Sequence, residues 1–119
     1  MLTLEQARQF AEEWGKERKA HDLEKIMSQY AENVFLTSPT AARLLKDPAG
    51  KVVGKQALRN YFSVGLQAYP NLTFRVLDVG CGISSIAIYY ENQNGVRVFE
   101  QMEFGPNQKV IRVNAHYSA

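Results

Sequence analysis

The sequence predicts an α+β domain in which a curved antiparallel sheet wraps around three N-terminal helices. Two observations carry this. Apolar residues recur every three or four positions through the first half of the chain, and every second position from Leu72 onward. The second half is also punctuated by short breaks, Gly80-Cys81-Gly82, Asn92-Gln93-Asn94-Gly95 and Gly105-Pro106-Asn107, as consecutive hairpins require. Helices first and hairpins after segregate into a helical layer and a sheet, leaving room for a pocket between them.

The first helix opens at Thr3, which forms a capping box with Gln6. Ala7, Phe10, Ala11 and Trp14 make its apolar stripe, and the same face continues to Arg18 and His21. Asp22 is placed to cap a second helix, whose face carries Leu23, Ile26, Met27 and Tyr30 at i, i+3, i+4 and i+7. Val34-Phe35-Leu36-Thr37 then reads as a strand, stopped by Ser38-Pro39. Residues 39–53 contain two prolines and a glycine and read as an irregular loop, with Leu44-Leu45 packing down. Gly54 starts the third helix, where Ala57, Leu58, Tyr61, Phe62, Gly65, Leu66 and Tyr69 repeat until Pro70. Strands follow at 72–79, 84–91, 96–104 and 109–117.

The 119 residues make a single domain, 1–119, able to hold one core or one small cavity. A net charge of +2, with basic residues scattered, argues against nucleic acid or an anionic membrane as partner. The single cysteine, Cys81, excludes an internal disulfide. No signal peptide or membrane-spanning stretch is evident, so the expected location is the cytoplasm. Two histidines and no ligand-spaced cysteines or carboxylates give no metal motif, and no phosphate-binding loop is present; no cofactor is expected.

The stretch Ala20–Pro39 resembles the SnoaL-like branch of the nuclear transport factor 2-like superfamily. So do Gly54-Lys55-x-Ala57-Leu58-x-x-Tyr61-Phe62 and the ending Val110-Ile111-Arg112-Val113-x-Ala115-His116-Tyr117. The resemblance spans essentially the whole chain. It implies a cone-shaped sheet, the fold of ketosteroid isomerase. That enzyme needs an aspartate base and an oxyanion pair of a tyrosine and a protonated aspartate. Aligned on this chain, the tyrosine falls on Trp14, the base on Ser38 and the protonated aspartate on Glu100. Only Glu100 keeps its chemical type, so steroid isomerisation by that route is not expected. The polyketide cyclases of the family, which work without metal or cofactor, are the better match.

Strand alternation singles out Glu100 independently. It is the one carboxylate in the row Val96, Val98, Glu100, Met102, Phe104, on the face that should look inward. Such a group either finds donors, for example Arg18, and serves structure alone, or has its pKa raised and suits acid–base work. Trp14, Arg18, His21 and Glu100 form the sharpest polar constellation, with Ser38 as a further catalytic candidate. His21 is alternatively a helix C-terminal residue interacting with the last carbonyls. His116 alternates onto the outer face, away from chemistry. Cavity or core positions are Tyr30, Phe35, Leu58, Tyr61, Phe62 and Phe74. To these the strands add Val98, Met102, Val113 and Tyr117. Arg43, Lys46 and Lys51 either gate the pocket mouth and favour an anionic tail or belong to a solvated loop.

Three functions follow. The first is a cofactor-free isomerase, cyclase or lyase acting on an apolar carbonyl compound. The second is a non-catalytic binder of an apolar small molecule, and the third an interaction domain. Tyr89, Phe99, Gln101 and His116 on the outer sheet face also predict a homodimer through that face.

Overall fold

The computed structural model describes residues 1–118. Helix α1 (Leu4–Lys19) starts on the predicted capping box: Thr3 accepts from the Gln6 backbone, and the Gln6 side chain accepts from Thr3 in return. It buries Ala7, Ala11, Trp14 and Arg18. It ends where His21 turns into the left-handed region at φ 57°. His21 N donates to the Arg18 carbonyl and Asp22 N to that of Glu17, the paired bonds of a Schellman motif. Asp22 then caps α2 (Leu23–Ser28), its carboxylate accepting from Lys25 N.

Strand β1 (Tyr30–Thr37) begins earlier than the sequence suggests, taking Tyr30 from the helix into the sheet. The segment expected to be irregular holds a helix, α3 (Pro39–Leu45), and a short strand, β2 (Lys51–Val53). Helix α4 (Lys55–Ala68) follows from Gly54 as expected. Strands β3 (Arg75–Cys81), β4 (Ser85–Glu91), β5 (Arg97–Phe104) and β6 (Val110–Tyr117) complete the chain. The first of these starts three residues late and runs through Gly80-Cys81 rather than breaking there.

Among the described residues there are thus four α-helices, not three, and six strands in the order β2-β1-β6-β5-β4-β3. The sheet is curved and unclosed. It is mixed rather than wholly antiparallel, because β1 lies parallel to β6, with Leu36 opposite Val113. The concave face carries the core: Val34 and Leu36 from β1, Ile86, Ile88 and Tyr90 from β4, Val98 and Met102 from β5, Val110 and Val113 from β6. Trp14 and Leu58 meet it from α1 and α4. No helix among the described residues is long and apolar enough to cross a membrane.

Candidate active site

A cavity of about 130 Å³ opens between the helices and the concave face, and every layer contributes to its wall. Helix α1 supplies Trp14 and Arg18, one turn apart on its buried face. The end of β1 and the residue after it supply Leu36 and Ser38, and α3 supplies Thr40 and Arg43. Tyr61 and Phe62 come from α4, Tyr90 from β4, Glu100 from β5, and Ala115 and Tyr117 from β6. The innermost residues are buried, whereas Arg43 and Asn94 are exposed and mark the mouth.

Glu100 lies on the concave face between Ile88 of β4 and Ala115 of β6. The small Ala115 leaves its side chain open to the cavity, so the residue keeps some accessible surface while its carboxyl group is deeply buried. The Tyr90 hydroxyl donates to Glu100 Oε1 at 3.1 Å. Burial pushes the carboxyl above the usual carboxylate range. The Arg18 guanidinium and the Tyr90 hydroxyl pull it back without reversing the shift. Burial likewise raises Tyr30, Tyr61, Tyr90 and Tyr117, so these phenols stay neutral hydrogen-bonding groups.

Arg18 is buried, at 6% exposure. Its Nη2 donates to the Tyr30 hydroxyl at 2.5 Å and its Nη1 to the Trp14 carbonyl at 3.3 Å. The guanidinium also lies over the Trp14 ring at 4.4 Å and faces Phe62 at 5.4 Å. Among the described residues it makes no ion pair with a carboxylate. Trp14 packs edge-on to Phe74 at 5.1 Å and beside Tyr90 at 5.2 Å. Its indole Nε1–H is buried beside the Tyr30 hydroxyl and makes no well-formed hydrogen bond among the described residues. An unpaired buried donor costs about 1–3 kcal/mol. The cavity therefore gathers a carboxyl group of raised pKa, a buried cation and an uncommitted N–H donor in apolar surroundings.

Of the residues singled out from sequence, Trp14, Ser38, Glu100, Tyr61, Phe62, Phe74 and Tyr117 line the cavity. His21 does not: it is exposed at the end of α1, where it forms the helix terminator. Tyr30 stands behind the wall as the partner of Arg18. Phe35 faces the convex side, its ring 5.0 Å from Lys51 Nζ and 4.9 Å from Arg112 Cζ, because alternation turns Val34 and Leu36 inward instead. Leu58, Val98, Met102 and Val113 are fully buried core residues that do not reach the cavity. Ser38 is the N-cap of α3, its hydroxyl accepting from Thr40 N at 3.1 Å. Lys46 forms the left-handed end of α3, and Lys51 lies against Phe35, so of the three loop cations only Arg43 reaches the mouth.

Sequence reasoning passed over Tyr90, and it offered Arg43 as a gate at the mouth without the helix that carries it. Tyr90 was findable, since it shares the parity of Ile86 and Ile88. Arg43 depends on α3, whose signal is Ser38 as cap and Pro39 in the first turn, a helix opening as much as a strand ending.

The same architecture recurs among solved structures. A SnoaL-like protein of unknown function from Burkholderia thailandensis is 33% identical, with all of both chains covered and a TM-score of 0.92. A candidate ketosteroid isomerase from Kribbella flavida is 18% identical over 98% of this chain and 80% of that one, with a TM-score of 0.72. SalBIII, an epoxide hydrolase/cyclase-like enzyme of pyran ring formation in the polyether salinomycin, is 16% identical over 96% and 92%, with a TM-score of 0.73. The last two likenesses speak for the fold alone. No functionally curated protein is detectably similar to the chain. The SnoaL-like domain profile matches residues 7–117, from the first buried alanine of α1 to the last residue of β6. With fold, profile and full-length relative in agreement, the chain belongs to the SnoaL-like domain family.

Proposed function

We propose that the cavity binds a small, mostly apolar carbonyl compound and that Glu100 exchanges a proton with it. The chain would then act as a cofactor-free isomerase, cyclase or lyase. The observation that carries this reading is Glu100 itself: a carboxyl of raised pKa, open to a cavity, held by one phenol and without an ion pair among the described residues. A raised pKa makes the ionised carboxyl a stronger proton acceptor, which is what a general base needs. In the simplest sequence, ionised Glu100 removes a proton from the carbon beside the ligand carbonyl. The electron pair moves onto the carbonyl oxygen, where Arg18 and the free indole N–H of Trp14 offset the developing charge. Protonated Glu100 then returns the proton to carbon, so atoms and charge balance.

The cavity is also an argument about size. A dry cavity of about 150 Å³ accepts a benzene ring, and the volume here is about 130 Å³. A single-ring ketone suits it. The test uses acetophenone in D2O, with Trp14 fluorescence reporting binding and loss of the methyl proton signal reporting exchange. Wild type should bind and accelerate exchange, while Glu100→Gln should bind and not accelerate. Saturable binding without exchange in either protein would instead establish a non-catalytic binding domain.

A further inference from the structure

The cavity wall is electrostatically lopsided. It carries two guanidinium groups, Arg18 inside and Arg43 at the mouth, against the single carboxyl of Glu100. Burial drives that carboxyl toward its neutral form. Neither arginine makes an ion pair among the described residues. Their neutral partners are phenols and a backbone carbonyl: Arg43 Nη2 donates to the Tyr69 hydroxyl at 2.7 Å, and Arg18 to Tyr30 and the Trp14 carbonyl. A site in this state is positive before anything enters it.

The mouth holds a second unspent polar group. Gln93, in the turn between β4 and β5, lines the cavity, and its buried Oε1 has no donor among the described residues. A half-turn of that amide presents its NH2 at the same place. Asn92 beside it is not free to do this, because its Oδ1 is committed to the Asn94 and Val96 backbone amides. Arg43 and Gln93 thus bring charge and an adaptable amide to the cavity mouth.

We propose that the ligand is a small carboxylic acid, its carboxylate held at the cavity mouth by Arg43 and the Gln93 amide, its carbonyl end turned inward to Glu100. The proposal rests on the reading of the cavity as a proton-exchanging pocket and names the ligand class it takes. Arg43 can take a carboxylate without giving up a salt bridge, because it makes none among the described residues. Glu100, at the far end, stays clear of a like charge.

The test compares para-acetylbenzoate with its neutral isostere para-acetylbenzamide, both titrated against Trp14 fluorescence. Wild type should bind the carboxylate about fivefold more tightly, the scale of one partly exposed charge pair. Arg43→Gln should reduce the two affinities to near equality. Raising salt from about 0.05 to about 0.5 M should do the same to wild type, without any substitution. Equal affinities in wild type at low salt would overturn the proposal while leaving the pocket intact. A preference that survives in Arg43→Gln would also overturn it, assigning the anion to Arg18. If neither compound binds saturably, the pocket reading itself fails and the proposal with it.

Discussion

Glu100 owes its character to two neighbours it did not choose in sequence. Ile88 and Ala115 flank it across the sheet, one a fully buried neighbour and the other too small to cover it. Parity along 96–104 was enough to place it inward, because a one-residue slip would have exposed Val98 and Met102 as well. Its partners were less legible. Tyr90 follows from strand parity, but nothing local says that Arg18 will lie over Trp14 rather than reach Glu100. His21 shows the opposite failure. Its position on the Trp14 face holds only while the helix continues, and the chain leaves the helix there. The raised pKa makes a thermodynamic prediction. Between the ordinary carboxylate value and the raised one, the folded state keeps a proton that the unfolded state has lost. Stability from this group therefore falls as pH rises through that interval, by about 1.4 kcal/mol for each pH unit it spans. Glu100→Gln lacks the titration, so its melting temperature should gain on wild type as pH rises from about 4 upward and then run parallel. A difference independent of pH would show that the carboxyl is not shifted.

The element least legible in the sequence is also the one that closes the site. Helix α3 spans the cavity: Thr40 Oγ1 donates to the Tyr117 hydroxyl at 2.7 Å near its start, and Arg43 reaches Tyr69 near its end. Two prolines and a glycine over a short span look like a loop, yet each has a helical or turn role. Pro39 sits in the first turn of α3. Gly50 adopts φ 59°, and a Cβ there would lie 2.6 Å from the Ser38 carbonyl oxygen. That close approach lets Ser38 N donate to the Gly50 carbonyl at 2.9 Å, which brings the chain back beside β1 as β2. The left-handed backbone alone costs an alanine about 1–2 kcal/mol, and the carbonyl contact adds to it. Gly50→Ala should thus lose about 2 kcal/mol or more in urea denaturation, with an unchanged m-value. A loss below about 0.5 kcal/mol, the ordinary range for surface changes, would mean that the α3–β2 connection is not held as described.

At the scale of the whole molecule, the parallel pairing of β1 with β6 sets the first strand of the chain beside the last, with Thr37 opposite Asn114. Local periodicity carries no information on such a pairing, and hairpin reasoning favoured antiparallel neighbours throughout. The convex face was better determined. Phe99 is 46% exposed there, stacked on Tyr89 at 4.5 Å, with Arg97 donating to the Tyr89 hydroxyl and His116 opposite Phe99 on β6. Exposed aromatic surface on an uncovered sheet favours pairing of two chains. Sedimentation at micromolar concentration should give about twice the 13.5 kDa chain mass, and Phe99→Glu should return it to monomer. Wild type that sediments as monomer would remove the dimer. Such pairing leaves the cavity untouched, since its mouth opens between the helices and the β4–β5 turn. The central claim is that Glu100 carries a proton to and from a bound ligand. It is tested most directly by following acetophenone proton exchange in D2O across a pH series. The active form is the carboxylate, so exchange by wild type should rise with pH through a single ionisation above the ordinary 4.5 and then level off. Glu100→Gln should show no acceleration at any pH. Acceleration that persists in Glu100→Gln, or a wild-type midpoint at or below 4.5, would contradict the account.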